Sequence, residues 1–504
     1  MILSNKQIIK ARLRFILSFI KFKYFLTKLD LSSYALEQQK ESNSYIIVLS
    51  PWLLTSTPWF AIATGILLHK RNHKVQVLID DLQFENKTDH ALQISLIGIA
   101  LNSLKKLEWK VERLSEYRTN NAISIEELKT IQNLGFANAI HKNRGEEETA
   151  YFNALRDKNI GVLKKNFSTI KSFVEVNSNQ TYIFPGGIYA NSGLLERLLK
   201  KGDRSYFTFD SGFEVLLSTY KGIAAQFTDI PASLELLLSG NEKDTEIAMI
   251  HAKEEFDKRK NGTNKLNSQY QSFEQSQNFD KVGVLIPLNS PWDSAALNIS
   301  SVFSGYNEWL LETVGLILEN SSFNVTIRQH PDERFWWGKT KTDFNQLITD
   351  RYTDKRIQFV SCFDKVNSYA LLSKSDAVVC YSSTFGIEAS MSGKAVCVCS
   401  NVYYSRLGFS YKPSNVEDIK FFLKNVDSER FNVDMNKARL TYYLGQQCNW
   451  LFTPFTPMTP DLDKWLAIGI DQLLIDPTVN IYLESLEKHL PMSYVNHRKN
   501  YDAS

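Results

Sequence analysis

The chain lacks the motifs of several large enzyme classes. Its 504 residues contain no GxxxxGK[ST] run, no GxGxxG after a strand, no HExxH and no GxSxG. These absences argue against P-loop enzymes, dinucleotide oxidoreductases and zinc proteases. No DxD flanked by apolar strand residues offers a metal–nucleotide site; Asp80–Asp81 comes nearest and reads as a strand-end turn. Charge of one sign is also missing. The chain has 58 basic and 55 acidic residues, a net +3, which does not point to nucleic acid as a partner. Cysteine is scarce and odd in number: Cys362, Cys380, Cys397, Cys399 and Cys448. Four of them lie in or beside apolar strand-like runs, as reduced core thiols of a cytoplasmic protein do. Cys397 and Cys399 form a C-x-C pair without the second pair of ligands a zinc site needs, so no metal is expected. There is no internal repeat. There is no unbroken membrane span either. Tyr45 to Leu68 is uncharged and long enough, yet Pro51, Pro58 and several hydroxyl residues divide it into a strand (YIIVL), a loop (SPWLLTSTPW) and a helix (FAIATGILLHKR). The apolar run FILSFI is short and meets Lys21 and Lys23 at once, so no signal peptide is expected.

What is present suits packed cores. Hydrophobic residues make up 43% and aromatics 12% of a chain whose length predicts about two to four domains. Strand-like and helical patterns alternate, which implies parallel sheets and an α/β class. In the first half the strands are YIIVL, Val75 to Ile79, Tyr182 to Phe184 and Tyr206 to Phe209. Helical patterns fill Ile125 to Leu134, Glu146 to Val176 and Ser192 to Leu199. A polar stretch rich in Asn, Gln and Ser follows, and a second α/β rhythm starts at Val282 to Ile286. It continues through a helix at Glu308 to Glu319 and the runs NVTIR, IQFV, AVVC and AVCV. The predicted organisation is a helix over residues 1–30, a Rossmann-like domain over 31–253, a linker over 254–280, a second Rossmann-like domain over 281–455, and a helical tail over 456–504 that packs back across the domains. Two doubly wound units facing across a cleft are the simplest such architecture.

The segment Asn5 to Leu29 carries seven basic residues (Lys6, Lys10, Arg12, Arg14, Lys21, Lys23 and Lys28) and no acidic one, interleaved with apolar side chains. Such a basic amphipathic helix lies on an anionic membrane surface, here the inner face, or docks on its own domain with solvated lysines. Both readings stand on the sequence.

The most informative run is AVVCYSSTFGIEASMSGKAVCV, Ala377 to Val398. It reads as a buried strand, a hydroxyl-rich turn, a short helix, a glycine stop at Gly393 and a second strand. Ser382, Ser383 and Thr384 sit at the handover from strand to helix, where open amides and hydroxyls suit a phosphate. Gly386 is expected to let the backbone approach a ligand, and Glu388 to face the same mouth. In RQHPDE, His330 closes the strand NVTIR and Pro331 holds it extended. An imidazole there can hydrogen-bond a phosphate oxygen or protonate a leaving group, although an HP dipeptide alone is equally a plain loop. Arg328 reads as a structural strand-end residue. Asp210, in FDSG, is either a general base toward an acceptor hydroxyl or the cap of a following helix EVLLSTYKG. The long loop SPWLLTSTPW follows a strand end, where loops bind ligands. Lys221, Gly222 and Asp229 read as structural. Trp292 and Asp293 are candidates for touching donor or acceptor, with interface packing an equal alternative for Trp292.

HP followed by SSTFGIEA-x-x-x-GKAV resembles the second domain of GT-B glycosyltransferases of bacterial capsule and surface polysaccharide synthesis. The nearest parallels are the Kdo-transferase-like capsule proteins and the bacterial sialyltransferases. The likeness covers Val282 to Ser410 well and the first half only in general plan. FDSG matches the acidic motif of those sialyltransferases in part: Asp210 is present, but Ser211 stands where a second acidic residue is usual. The glycerophosphate polymerases of teichoic acid synthesis share the HP and Ser-Ser features. The resemblance implies a nucleotide-sugar donor, commonly CMP-linked, whose phosphate is held by His330, Pro331, Ser382 and Ser383; the residues themselves suggest that Thr384 joins them at the helix start and that Glu388 bonds the ribose hydroxyls. It also implies a saccharide or lipid-linked acceptor and neither metal nor resident cofactor. A nucleotide-sugar epimerase of the same architecture, or a non-catalytic partner in a membrane-attached complex, are the alternatives.

Overall fold

The computed structural model describes residues 5–29, 43–52, 55–84, 87–119, 122–147, 149–212, 214–263, 281–299, 301–335, 338–428, 431 and 433–502. The chain divides into two units. Unit 1 comprises Met1–Ala139, Asn153–Asp229 and Cys448–Ser504; unit 2 comprises Ile140–Phe152 and Ile230–Gln447. The boundary expected at 253 falls instead at Asp229, because the helices Ile230–Leu238 and Glu242–Lys260 pack with Met435–Tyr443 of unit 2. The start of the expected linker, Glu254 to Lys260, is therefore the end of a helix, and its residues 264–280 lie outside the described residues.

Unit 1 carries β1 (Ser44–Leu49), β2 (Lys74–Ile79), β3 (Lys110–Arg113), β4 (Thr181–Pro185), β5 (Tyr206–Gly212) and β6 (Val215–Tyr220). Unit 2 carries β7 (Gly283–Pro287), β8 (Val325–Arg328), β9 (Ile357–Val360), β10 (Ser375–Cys380) and β11 (Ala395–Val398). The short β12 (Leu451–Phe452) belongs again to unit 1.

The unit 1 sheet runs β12-β6-β5-β4-β1-β2-β3, parallel from β5 to β3. β1 is apolar at almost every position because helices cover both faces, as parallel sheets require. The helix Thr57–Lys70 is buried from Thr57 to His69, so its apolar residues show no polar side, and Pro58 sits in its first turn, where a missing N–H costs little. EVLLSTYKG is no helix: Val215–Tyr220 pairs antiparallel with β5, Asp210 opposite Leu217. Its alternating Leu, Ser, Thr and Tyr fit a pleated strand better than a helix.

The tail returns to unit 1. Its helices Leu462–Ile468 and Ile470–Ile475 break at Gly469, and Pro477–Lys488 and Met492–Asp502 follow. Trp465 and Tyr482 are fully buried there, and Phe455 packs on Phe60 at 4.5 Å between ring centroids. The expected boundary at 455 gives way to one at Cys448, because β12 already pairs with β6.

The first helix, Asn5–Thr27, docks on unit 1 through Phe15, Phe19, Phe22, Phe25 and Leu26. Phe15 and Phe22 stack on Trp59 at 5.4 and 5.3 Å, and Trp59 Nε1 donates to Ser18 Oγ at 2.9 Å. No described helix is long and apolar enough to cross a membrane.

The unit 2 sheet is wholly parallel, ordered β11-β10-β7-β8-β9. The chain starts in the middle at β7, winds to β8 and β9 on one side, then crosses back to β10 and β11 on the other. Its core holds Trp309, Val284, Ile286, Ile327 and Val379.

Candidate functional site

The reversal of winding places a switch point between β7 and β10. Ligands of open α/β sheets bind outside the carboxyl ends of strands at such points. Three loops leave the sheet there: the loop after β7 with Asn289 to Asp293, the loop after β8 with Gln329 to Pro331, and the loop after β10 with Tyr381 to Thr384. β7 alone separates β8 from β10, so the bases of the histidine and hydroxyl loops stand roughly 10 Å apart, two strand spacings.

His330 caps a short turn of helix, Pro331–Arg334. Its Nδ1 accepts from the Asp332 amide at 3.2 Å. A nitrogen that accepts carries no proton, so the neutral ring holds its proton on Nε2, which has no partner among the described residues. Burial lowers the His330 pKa; Asp332 and Asp293 oppose that shift, while Arg328 and Arg259 add to it. The ring is thus a neutral donor near pH 7. Burial pushes the Asp332 carboxyl up, with His330, Arg334 and Arg259 pulling the other way.

The hydroxyl loop is half-buried at Ser383 and Thr384 and buried at Ser382. Ser383 Oγ accepts from the Phe385 amide at 3.3 Å, and the Ser383 carbonyl accepts from the Gly386 amide at 3.1 Å and from the Tyr404 hydroxyl. Ser383, not Thr384, does the capping: Thr384 makes no side-chain cap bond. The hydroxyls of Ser382 and Thr384, and the amides of Ser383 and Thr384, meet no partner among the described residues. The helix Phe385–Met391 has only seven residues and a correspondingly small dipole. An anion here would be held by the loop's own groups.

Two expectations fail for the same reason, that this helix faces inward. Gly386 is buried, and a Cβ there would come within 2.5 Å of the Tyr404 hydroxyl and 2.9 Å of Cys380 Sγ. It is glycine to let the helix press on β10 and Tyr404, not to admit a ligand. Glu388 does not face the mouth. It is 2% exposed, 3.2 Å from Arg259 Nε, and accepts from the Tyr369 hydroxyl at 3.1 Å.

Residues 249–444 match the family described as "Capsule polysaccharide biosynthesis protein". The match spans less than half of the chain and includes all three loops of the site. No curated protein matches the chain. Among solved structures, a Thermosulfurimonas dismutans KpsC, a beta Kdo 2,4 transferase, is 14% identical over 52% of this chain and 79% of its own, with a TM-score of 0.36. A second from that organism, titled a beta Kdo 2,7 transferase, is 17% identical over 54% of this chain and 79% of its own, with a TM-score of 0.32. The UDP-GlcNAc 2-epimerase of Neisseria meningitidis, bound to UDP-GlcNAc, is 11% identical over 79% of this chain and 97% of its own, with a TM-score of 0.21. The region similar to capsule biosynthesis proteins is thus the region that builds the switch point of unit 2.

Within this capsule-synthesis-like region, Trp292 packs. Its Nε1 donates to Thr340 Oγ1 at 3.2 Å, its carbonyl meets His141 Nδ1 at 3.0 Å, and the Arg144 guanidinium lies over its ring at 4.0 Å. Thr340 passes the chain on to Glu333, whose carboxyl burial raises to about 7. Asp293 accepts from the Ala295 amide at 3.1 Å. Arg328 is structural: it donates to Ser368 Oγ at 3.3 Å and to the carbonyls of Ser361 and Val366. All five cysteines are free and buried, and no group of three or more potential metal ligands occurs among the described residues.

Asp210 belongs to unit 1. It lies inside the β5–β6 hairpin, half-buried, with Oδ1 accepting from the Ser211 amide at 2.8 Å. The cap role is excluded by the hairpin. Unit 1 has its own switch point, between β1 and β4. Trp52 of the SPWLLTSTPW loop packs there on Gly186, which has φ +73°, and a Cβ at that glycine would meet the indole at 2.7 Å. Leu53 and Leu54 of that loop lie outside the described residues. Asp80 is buried, receives both contacts of Asn191 Nδ2 at 2.9 and 3.2 Å, and burial raises its pKa to about 7. Lys221 pairs with Asp203 at 2.7 Å, Gly222 is buried, and buried Asp229 accepts from the Tyr220 amide at 3.0 Å.

The residues missed in the sequence are Asp332 and Arg259. Asp332 stood inside RQHPDE and carried a signal. Arg259 stood in a polar run that reads as linker and carried none.

Proposed function

We propose that the chain is a glycosyltransferase that moves a sugar from a nucleotide-activated donor to a growing capsule or other surface polysaccharide, at the cytoplasmic side of the membrane. One observation carries this: His330 and the Ser382–Thr384 loop flank β7 at the switch point of unit 2. Breaking a glycosyl–phosphate bond leaves charge on phosphate oxygens. The Nε2–H of neutral His330 donates a hydrogen bond to one of them. The hydroxyls of Ser382 and Thr384 and the amides of Ser383 and Thr384 take the others, and Pro331 fixes the backbone of His330. Asp210 takes the proton of the acceptor hydroxyl, on a saccharide or lipid-linked acceptor. Rate enhancement comes from positioning and from stabilising the leaving group. The donor, CMP-linked by resemblance, is a substrate; the reading calls on no resident cofactor and no metal.

The test is nucleotide release from CMP-, UDP- and GDP-sugars, with and without oligosaccharide acceptor and with EDTA present. Acceptor-dependent release that survives EDTA is expected. His330→Ala and Asp210→Asn should each lower it by roughly 10²- to 10⁴-fold with an unchanged unfolding midpoint. Conversion of donor to an isomer without acceptor would replace this reading by the epimerase. Neither binding nor turnover of any donor would leave the non-catalytic partner.

A further inference from the structure

The first helix has two apolar faces, and only one is used. Phe15, Phe19, Phe22, Phe25 and Leu26 are buried against unit 1. Ile9, Leu13, Leu17, Ile20 and Tyr24 are 53–62% exposed. Their spacing of four, four, three and four residues draws one line along the helix. At 100° per residue the exposed line fills an arc of roughly 80°, centred opposite the buried aromatics. A continuous aliphatic line on a water-facing surface is not a scatter of single residues.

The flanks of that line are basic. Lys23 borders it on one side with Arg12; Lys10, Arg14, Lys21 and Lys28 border it on the other. Arg12 is bound to Asp89 at 2.5 Å and Lys21 to Asp463 at 2.6 Å, which pins the helix to unit 1. Lys10, Arg14 and Lys23 are exposed and have no acidic partner among the described residues. No acidic residue occurs from residue 5 to 29.

We propose that this face lies in the plane of an anionic lipid bilayer, with the aliphatic line in the acyl boundary and the lysines and arginines at the headgroups. The charge decides the occupant. A second copy would bring two basic helices face to face, where like charges repel. A bilayer of acidic lipid supplies both the apolar phase and the counter-charge. The aromatic face stays on the protein, so the helix holds unit 1 flat on the surface without crossing it. This inference is independent of the transfer reading, since its readout is lipid binding.

The experiment is co-sedimentation of the full chain with vesicles of phosphatidylcholine, with and without one third phosphatidylglycerol. Binding to the anionic vesicles is expected to be roughly a hundredfold tighter, and to weaken as salt is raised. Leu13→Ser, Leu17→Ser and Ile20→Ser together, all on the exposed face, should abolish it. Lys10→Glu, Arg14→Glu and Lys23→Glu together should remove the preference for phosphatidylglycerol. Unfolding midpoints check that these variants fold. Hydrogen exchange on the unaltered chain is a second readout: vesicles should protect residues 9–24. Absent binding, binding indifferent to phosphatidylglycerol, or binding unchanged in the serine variant overturns the proposal. So does a dimer, seen by light scattering, that the serine variant loses while vesicles fail to bind.

Discussion

Arg259 Nε lies 3.2 Å from Glu388 Oε1, joining the helix Glu242–Lys260 to the helix that follows the hydroxyl loop. Burial raises the Glu388 carboxyl above its ordinary value, and Arg259 and Tyr369 offset only part of that rise. Removing one member leaves a buried charge unpaired. Arg259→Met or Glu388→Ala should therefore cost about 3–5 kcal/mol, and the double replacement less than the sum. Urea unfolding measures this. Single variants as stable as the parent would show that the pair does not hold these helices together.

Gly386→Ala should cost about 1–3 kcal/mol, because its methyl group has no room beside the Tyr404 hydroxyl and Cys380 Sγ. Thermal unfolding reads the loss. On a Tyr404→Phe background, where the nearest atom is gone, part of the loss should return. No return would place the crowding elsewhere, at the cysteine.

The pH profile of transfer tests the role of His330. Its pKa is lowered by burial, so the neutral ring with its Nε2 proton persists below the ordinary value. Protonation would also turn Nδ1, which now accepts from Asp332, into a competing donor. Hence kcat/KM should be flat through neutral pH and fall only below about 6.5, the ordinary imidazole value. His330→Gln, which keeps an N–H donor, should recover part of what His330→Ala loses. An acid limb above that value would contradict the neutral-donor role.

Asp80 makes stability pH-dependent. Burial raises its pKa to about 7, far above the ordinary carboxylate, so the folded state binds the proton more tightly than the unfolded chain. The stabilisation is complete at acid pH, below the unfolded value, and is lost as pH rises through 7. The slope approaches about 1.4 kcal/mol per pH unit between the two pKa values. Asp80→Asn should remove its share of that slope in urea titrations taken from pH 5 to about 8. An unchanged slope would assign the effect to Asp229 or Glu333, which burial also raises to about 7.

The parallel strands of both sheets were legible because they are continuous apolar runs: YIIVL, VGVLI and AVVC could hardly be anything but covered strands. The switch-point loops followed, since a histidine–proline pair and three hydroxyl residues each sit directly after such a run. β3 was not legible. KVER is four residues long, charged, and at the sheet edge, where solvent tolerates what a central strand would not. Glu388 misled because local spacing alone puts it one turn inside a site-facing helix. Its true direction is set by Arg259, distant in sequence, and no local pattern encodes such a pairing. Asp210 misled in part because the Leu and Val of EVLLSTYKG serve helix and strand alike, and only pairing with β5 decides between them.

The return of Cys448–Ser504 to unit 1 has a consequence for biogenesis. β12 completes the sheet edge against β6, the Tyr45 hydroxyl donates to the Leu486 carbonyl at 3.1 Å, and Trp465 fills the space between Phe22, Phe25 and Phe455. Strands β1 to β6 must therefore wait, with Phe60 incompletely covered by Phe455 and Tyr482, until the ribosome has passed through the whole unit 2 sheet and delivered Cys448–Ser504. Meanwhile the intervening half has every strand of its own sheet already in hand.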